Sequence, residues 1–246
     1  MGNKFLIKSG DIFFRFRNFL FPVFVISLIL FVKPAFFLGN EILDKFAVTL
    51  GIIIALVGQI IRFSVIGLAY IKRGGKEGRV YADDLVTSGI YSHVRNPMYI
   101  GNFLILLGIG IIYGSIWIYL FVIPFFSFVY FSIIVTEENY LKNHFGEKYI
   151  EYTRQVSRFI PNLHGIKKTF TQFKFDFKKA LRKDYGTIFG VIVGCYATWL
   201  WKKFKLYGFG ENKGEIYSIV LAFILIIIFY SWVRHLKKSG KLISPS

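Results

Sequence analysis

Long apolar blocks, rather than short alternating patterns, dominate the order of hydrophobic and polar positions along this chain. A helix needs about 20 residues to cross the hydrocarbon core of a bilayer. Backbone groups in lipid must be hydrogen-bonded within their own segment, so blocks of about this length are predicted to be helices. The predicted spans are 18–38, 46–71, 98–113, 115–136, 186–201 and 216–233. The predicted fold class is therefore all-α: a polytopic transmembrane bundle of about six spans, whose cytoplasmic connecting segments form the site.

Two interruptions shape the predicted spans. Lys33 and Pro34 lie inside the first block, and its helix is expected to end there because proline removes a backbone donor. Only Gly114 separates the third block from the fourth, which predicts a tight helical hairpin. The basic N-terminal arm and the apolar run after it resemble a signal peptide, but no small-x-small cleavage motif follows. An uncleaved first span is therefore expected.

Lysine and arginine cluster between the apolar blocks and give the chain a formal net charge of +17. The clusters lie in the N-terminal arm, after the second span and after the fourth span. The positive-inside rule then predicts an integral multi-pass protein with both termini cytoplasmic. One stretch conflicts with this rule, because Lys202, Lys203, Lys205 and Lys213 fall on the predicted outer side. Basic residues between apolar blocks indicate contact with anionic lipid, and no nucleic-acid partner is predicted.

The C-terminal third has two further features. Lysines and phenylalanines interleave within 162–185, which is typical of an interfacial stretch that contacts anionic phospholipids. Gly186, Gly190 and Gly194 then form a small-residue stripe, which allows helices to approach closely. Packing against the sixth span is the expected use of this stripe, and a homodimer contact is the alternative. Cys195 is the single cysteine, so no intrachain disulfide is possible.

Two polar segments flank the predicted hairpin. Pro97 suits the first turn of the third span, because no backbone N–H is needed there. The N-terminus of that helix would present free N–H groups beside His93, Arg95 and Asn96, an arrangement that suits an anion such as a carboxylate. The hairpin returns the end of the fourth span, with the carboxylates of Glu137 and Glu138, to the same membrane face. Cationic and anionic groups therefore converge, which suits a zwitterionic ligand.

These segments also carry a recognisable spacing of residue types. The first reads Arg-Asn-Pro-Met-Tyr-Ile-Gly at 95–101, and the second reads Glu-Glu-x-x-Leu-x-x-x-Phe-Gly-x-x-Tyr-x-x-Tyr at 137–152, followed by Val-x-Arg-Phe-Ile-Pro at 156–161. Over 58–161 the chain resembles the isoprenylcysteine carboxyl methyltransferase and phospholipid methyltransferase superfamily. The family usually has histidine where this chain has Asn96. Asparagine can donate a hydrogen bond, but it cannot titrate near neutral pH.

The resemblance implies methyl transfer from S-adenosylmethionine to a membrane lipid or lipidated acceptor. That acceptor would be a prenylcysteine-type carboxylate or a lipid amine head group. The implied cofactor-binding residues are His93, Arg95, Asn96, Tyr99, Gly101, Asn102, Glu137, Leu141, Phe145 and Tyr149. Of these, Leu141, Phe145 and Tyr149 would form the apolar wall under the adenosine.

The two acceptor chemistries need different catalytic groups, and the sequence leaves both open. Adjacent glutamates lie about 100° apart on a helix, so Glu138 rather than Glu137 is expected to point inward. An amine acceptor must lose a proton, for which Glu138 would be the base. A carboxylate acceptor is already nucleophilic and needs a cation, such as Arg62 or Arg158, to orient it. Glu138 and Arg62 are therefore the predicted catalytic residues, and Arg158 is the predicted ligand of the substrate head group.

Arg62 stands out because it is charged and lies deep in the second span, nine residues before Ile71. Inserting such a charge costs about 2.5–3.5 kcal/mol. We therefore expect its side chain to face the bundle and to pair with Glu137 or Glu138, or with the substrate head group.

Two other functions compete with methyl transfer. An NADPH-dependent sterol-type reductase resembles the chain in its Arg-x-Pro-x-Tyr block, but less so after the fourth span. A non-catalytic membrane protein that retains the core is the second, with Asn96 as the trace of a decayed site. Asp83 and Asp84 lack convergent partners and are expected in a solvated turn, so no metal site is predicted.

The predicted organisation has three parts. Residues 1–57 form the N-terminal arm, the first span and the start of the second. Residues 58–161 form the methyltransferase-like membrane core. Residues 162–246 form the basic interfacial segment and the last two spans, and they lie outside the resemblance.

Overall fold

Helices make up most of the protein in the computed structural model, which describes residues 2–68, 73–76, 79–172, 174–208 and 213–242. The α-helices of the described residues are α1 Gly2–Phe31, α2 Glu41–Leu68, α3 Pro97–Tyr113, α4 Ile123–Phe145, α5 Glu147–Gln155, α6 Ile166–Gln172, α7 Phe177–Tyr207 and α8 Lys213–Lys238. The predicted all-α bundle is confirmed. A short antiparallel hairpin, β1 Arg73–Lys76 with β2 Arg79–Ala82, was not predicted.

Residues with special backbone preferences set the limits of the site-forming helices. Pro97 begins α3, and Gly114 ends it in the left-handed conformation, with φ 78°. A π-helical turn, Ile118–Val122, then leads directly into α4, so the two helices form the predicted tight hairpin. The side chain of Asp176 caps α7 by accepting a hydrogen bond from the backbone N–H of Lys179 at 2.8 Å.

Three helices of the described residues are long and apolar enough to cross a membrane: Glu41–Leu68, Ile118–Phe145 and Tyr217–Lys238. α3 is apolar but shorter. Large apolar side chains are exposed along the outer faces of α2, α4 and α8, as expected of surfaces that face lipid. The protein is therefore an integral membrane protein, while the number of six spans stays a prediction.

The fifth predicted span is shorter than the helix that contains it. α7 begins nine residues before the predicted start at 186 and continues to Tyr207. Three lysines assigned to an outer loop, Lys202, Lys203 and Lys205, are therefore helical, and that part of the prediction is wrong. Lys202 is also buried, and its ammonium donates to Asp44 at 2.5 Å and to the Ile112 carbonyl at 3.0 Å.

α2 and α3 are in direct backbone contact, which fixes one side of the bundle. A Cβ added to Gly58 would lie 2.5 Å from the carbonyl oxygen of Gly101, and one added to Gly51 would lie 2.7 Å from that of Gly108. Any side chain at these positions would force the helices apart. The spacing between α2 and α3 is thus set by glycine at each crossing point.

The long helices run alternately between two ends of the bundle. We call the end where α2 finishes and α3 begins the site end. There, Thr136 of α4 donates to the Ile7 carbonyl of α1 at 3.0 Å, and the backbone N–H of Asp176 donates to the Gly67 carbonyl at 2.9 Å. The Lys202–Asp44 pair joins α7 to α2 at the opposite end. Hence α1, α3 and α7 start at the site end, whereas α2 and α4 finish there.

Candidate functional site

A cavity of about 660 Å³ opens at the site end among α1, α2, α3, α4 and α7. Ligand pockets are typically about 300–1,000 Å³, so the volume suits a small molecule or part of a lipid. The residues that line it and carry the argument below are Arg17, Arg62, Tyr91, Arg95, Asn96, Tyr99, Asn102, Tyr130, Glu137, Lys179, Lys183, Gly186, Thr187 and Gly190.

Arg62 reaches this cavity from α2 and is held by groups on two other helices. One terminal nitrogen donates to Asp184 at 2.5 Å and to Thr187 at 3.1 Å, both on α7. The other terminal nitrogen donates to Asn102 of α3. Arg62 faces the bundle as expected, but the expected pairing with the glutamates is wrong. α7 lies alongside α2 and provides the nearer carboxylate.

The two glutamates at the end of α4 are both buried, and they have different partners. Glu137 is 7% exposed, lines the cavity and accepts a hydrogen bond from Tyr99 at 2.8 Å. Glu138 is 8% exposed and turns toward the segment before α3. The expectation that Glu138 is the glutamate that points into the site is therefore wrong, because Glu137 lines the cavity. Side chains about 100° apart can both be buried here because α3 covers one and the 156–161 segment covers the other.

Glu138 lies in a cluster of donors drawn from both predicted blocks. Arg158 approaches it side-on, with its Nη2 2.6 Å and its Nε 3.1 Å from one carboxylate oxygen. Asn96 donates to the other oxygen at 3.1 Å, and Arg95 forms an ion pair at 3.6 Å. Two arginines flank this single buried carboxylate, so the cluster keeps a net positive charge. The cluster thus joins the start of α3, the end of α4 and the 156–161 segment.

His93 does not belong to the cavity, and its predicted role in cofactor binding is corrected. Its two ring nitrogens lie 2.6 Å from the carbonyl oxygen of Asn162 and 2.8 Å from the hydroxyl of Thr169. Both nitrogens are engaged by the segment that follows the core. His93 therefore fastens α6 and the preceding turn to the bundle.

The predicted adenosine wall also lies elsewhere. Leu141, Tyr149 and Tyr152 form a buried apolar cluster, with Phe145 packed against it. Tyr152 donates to the backbone carbonyl of Tyr91 at 2.7 Å, and Tyr91 itself lines the cavity. The cluster thus supports the loop that borders the cavity and does not form its surface. α5 folds back on the end of α4, so that its own Tyr149 and Tyr152 pack against Leu141.

Gly101 is likewise near the site without lining the cavity. A Cβ added there would lie 2.7 Å from the Cγ atom of Arg62. Glycine at this position makes room for the arginine side chain, so its role is steric.

α7 contributes residues that the sequence interpretation missed. Asp184 is the only acid within 177–207, where six lysines and one arginine surround it, and Thr187 follows it one turn later on the same face. That isolated acid was the available signal. The expected helix packing at the small-residue stripe is not found at Gly186 or Gly190, because a Cβ added at either position meets nothing within 4 Å. The alternative of a homodimer contact stays a prediction. Both glycines border the cavity, and α7 packs on α8 through other residues, including Leu181 and Tyr185.

The electrostatic character of the cavity is strongly positive. Burial, and secondly the neighbouring charge of Lys183, lowers the pKa of Lys179 at the start of α7. In addition, the Nε atoms of Arg62 and Arg95 are buried and have no hydrogen-bond partner within the described residues. An unpaired buried donor is costly. Both side chains line the cavity, where their positive charge favours an anion.

Comparisons with known proteins give the family of the central segment. Residues 46–148 match the phospholipid methyltransferase family. The chain is 32% identical over 164 residues to protein-S-isoprenylcysteine O-methyltransferase of Schizosaccharomyces pombe, covering 63% of this chain and 61% of that protein. The central segment is similar to this superfamily of methyltransferases.

Two further relatives are similar to this chain over shorter stretches. The Xenopus laevis protein-S-isoprenylcysteine O-methyltransferase is 30% identical over 125 residues, or 48% of this chain and 42% of that protein. The cobalt-zinc-cadmium resistance protein CzcN of Cupriavidus metallidurans is 38% identical over 79 residues, or 32% of this chain and 36% of that protein. The chain thus spans 61% or less of the length of each of these relatives. No solved structure matches it.

Proposed function

We propose that this chain uses S-adenosylmethionine to methylate a lipid-embedded acceptor that carries a carboxylate. The observation that carries the proposal is the joining of the two sequence blocks at one cavity. Tyr99 pairs with Glu137 and Asn96 pairs with Glu138, and all four residues lie within the matched segment. The named activity of two relatives supports the transferred group.

The residues present fit the proposed methyl donor. S-adenosylmethionine supplies an electrophilic methyl group on a positively charged sulfur, together with an amino acid carboxylate. Arg95, whose side chain lines the cavity, would bind that carboxylate. Glu137, positioned by Tyr99, would face the positive centres of the donor. Tyr91 and Met98 offer apolar surface for the remainder.

The charge of the cavity favours a carboxylate acceptor over an amine. Five cationic side chains, Arg17, Arg62, Arg95, Lys179 and Lys183, line it together with the carboxylate of Glu137. An amine would be repelled there and would need a base to remove its proton. Glu138 is poorly suited to that task, because Arg158 and Asn96 already occupy its oxygens. A carboxylate oxygen would accept the methyl group directly, with no proton to remove.

Orientation and exclusion of water are then the main contributions of the protein. Methyl transfer requires the acceptor oxygen and the methyl carbon to be held in line, which positioned charges can achieve. The apolar outer surface of the bundle would let the hydrocarbon part of the acceptor remain in the bilayer. The donor would reach the site end from the cytoplasm, and the basic stretch within 162–185 would contact anionic phospholipids on that side.

The test uses purified protein in lipid nanodiscs and S-adenosylmethionine with a labelled methyl group. S-farnesylated N-acetylcysteine serves as the carboxylate probe and phosphatidylethanolamine as the amine probe. We expect saturable donor binding, and base-labile label in the first probe only. Label in phosphatidylethanolamine alone would reverse the choice of acceptor. Binding of NADPH without binding of S-adenosylmethionine would favour a reductase and overturn the proposal.

A further inference from the structure

α7 lies beyond the segment that matches the methyltransferase family, yet it forms one wall of the candidate site. The family match ends at residue 148, whereas α7 is Phe177–Tyr207. Gly186, Thr187 and Gly190 border the cavity directly. A complete site in this chain therefore requires a helix that the family match does not include.

At the site end, Asp184 makes buried polar contacts that connect this helix to α2. It is 1% exposed, and it accepts hydrogen bonds from Arg62 at 2.5 Å and from Gln59 at 2.6 Å. Gln59 and Arg62 lie on adjacent turns of α2. Each carboxylate oxygen of Asp184 thus has its own donor on α2, which fixes the carboxylate in one orientation.

This arrangement has a direct consequence for Arg62. A buried guanidinium needs a counter-charge, and within the described residues Asp184 is the acid that contacts it. Thr187 and Asn102 take further N–H groups, so both terminal nitrogens are anchored. The Nε atom is left without a partner, in a side chain that lines the cavity.

We propose that Asp184 is the positioning residue that holds Arg62 against the acceptor, so that α7 supplies the acceptor half of the site. This inference rests on the proposed methyl transfer and assigns Arg62 to the acceptor carboxylate, leaving Arg95 to the donor. Asp184 forms an ion pair with the arginine and sets its direction, but it does not itself touch the acceptor.

The same face of α7 provides room beside Arg62. A side chain at Gly186 or Gly190 would project into the cavity, since nothing lies within 4 Å of an added Cβ at either position. We therefore expect these positions to limit the length of acceptor chain that the cavity admits. Both glycines border the cavity that Arg62 also lines, which supports the assignment of α7 to the acceptor half of the site.

The first experiment compares Asp184→Asn with Asp184→Glu in the nanodisc assay with S-farnesylated N-acetylcysteine. Asp184→Asn keeps the shape but removes the charge that orients Arg62. Its KM for the acceptor should rise by about 10- to 100-fold, the scale of one lost charge-assisted hydrogen bond. The Kd for S-adenosylmethionine, measured by equilibrium binding without acceptor, should change by less than about twofold, since Arg95 and Glu137 are intact. Asp184→Glu should recover part of the acceptor KM.

Thr187→Val is the milder companion variant. It removes one hydrogen bond to the same arginine nitrogen and keeps the ion pair, so it remains informative if Asp184→Asn does not fold. A smaller rise in the same KM is expected. If both variants lower only thermal stability, or if the donor Kd and the acceptor KM change together, Asp184 is a structural residue and the inference is wrong. A wild-type protein without methyl transfer would instead refute the proposed function.

The second experiment fills the cavity from α7. Gly190→Leu should lose activity with farnesyl and geranylgeranyl probes by at least about tenfold more than with the shorter geranyl probe. Ile192→Phe adds bulk to an exposed position on the same helix and should leave the order of probes unchanged. Equal losses for all probes in Gly190→Leu would show that α7 does not bound the acceptor chain.

Discussion

Asn96 occupies the position where the family usually has histidine, and its contacts indicate what that position does in this protein. The side chain is 3% exposed and donates to Glu138 at 3.1 Å and to the Arg158 carbonyl at 3.5 Å. Both contacts require a donor and neither requires a proton to be transferred. A neutral amide satisfies this role, so the substitution is compatible with an intact site.

The effect of a negative charge at position 96 can therefore be tested by an isosteric substitution. Asn96→Asp places a second carboxylate beside Glu138 and should reduce methyl transfer by about 10²-fold or more, since like charges at this distance repel strongly when buried. Asn96→His retains a donor and should keep activity within about tenfold of wild type. Rates and the Kd for S-adenosylmethionine are measured for both variants.

The pH dependence of methyl transfer provides a check on the Asn96→Asp variant. Lowering the pH should partly restore Asn96→Asp, because protonating one of the two carboxylates removes their repulsion and restores a hydrogen-bond donor between them. Activity of Asn96→Asp equal to wild type at neutral pH would contradict the assigned contact.

At the residue scale, the sequence predicted the half of the site that lies within the two blocks. Arg95, Asn96, Tyr99 and Asn102 do meet Glu137 at one cavity, because Pro97 and the hairpin at Gly114 constrain where they can lie. Asp184 was not predicted. Its partner Arg62 is 122 positions away, and only the packing of α7 on α2 brings them together.

At the level of elements, α7 combines functions at its two ends. Its first half borders the cavity, and its last turns carry the buried pair of Lys202 with Asp44. Asp44 also accepts the backbone N–H of Phe37 at 2.8 Å, and Lys202 donates to Ile112. One ammonium thus fastens α7 to α2, to α3 and to the turn before α2.

Removing this ammonium should destabilise the whole bundle. Lys202→Met leaves the Asp44 carboxylate buried without a cation, a change that typically costs about 3–5 kcal/mol. Lys205→Met, at an exposed position of the same helix, should cost less than about 1 kcal/mol. Thermal unfolding in one detergent compares the two.

A double variant tests whether the cost comes from the unpaired carboxylate. Lys202→Met combined with Asp44→Asn should recover much of the stability lost in the single variant, because no buried charge remains. Equal small effects of Lys202→Met and Lys205→Met would show that the buried pair carries no stability.

The hydropathy of the sequence predicted only residues 186–201 of α7, because the polar residues near both ends of the helix lower the mean hydropathy there. The helix is longer since Asp176 caps its start and the lysines of its last turns find partners or water. Such pairing depends on tertiary contacts, which an average along the sequence does not contain.

At the scale of the whole molecule, the alternating helices bring two distant parts of the chain to the site end. α1 begins there, at the contact of Ile7 with Thr136, and Val233 near the end of α8 packs against Leu181 there. Apolar composition predicted the bundle, which the structure confirms. The cytoplasmic orientation of the site end stays a prediction from the basic clusters. The β1–β2 hairpin was not foreseen, because its glycine-rich, basic stretch has no alternating apolar pattern.

Sidedness can be measured with single cysteines in a Cys195→Ala background. Lys168→Cys lies on an exposed position of α6 at the site end, and Ala35→Cys lies exposed between α1 and α2 at the opposite end. A membrane-impermeant maleimide added to sealed cells should label only Ala35→Cys, and added to inverted vesicles only Lys168→Cys. The reverse pattern would place the cavity on the outer side and remove its access to cytoplasmic S-adenosylmethionine.

The contact of α2 with α3 at Gly58 and Gly101 also bears on the speed of turnover. The Cγ atom of Arg62 lies 2.7 Å from where a methyl group on Gly101 would be, so the arginine stem is clamped against the neighbouring backbone. A side chain already immobilised during folding has no rotamer freedom left to lose when a substrate arrives. Ordering a free side chain would cost about 0.5–1.5 kcal/mol in each catalytic cycle. Two glycines therefore move that entropic cost from every encounter with substrate to the single event of folding.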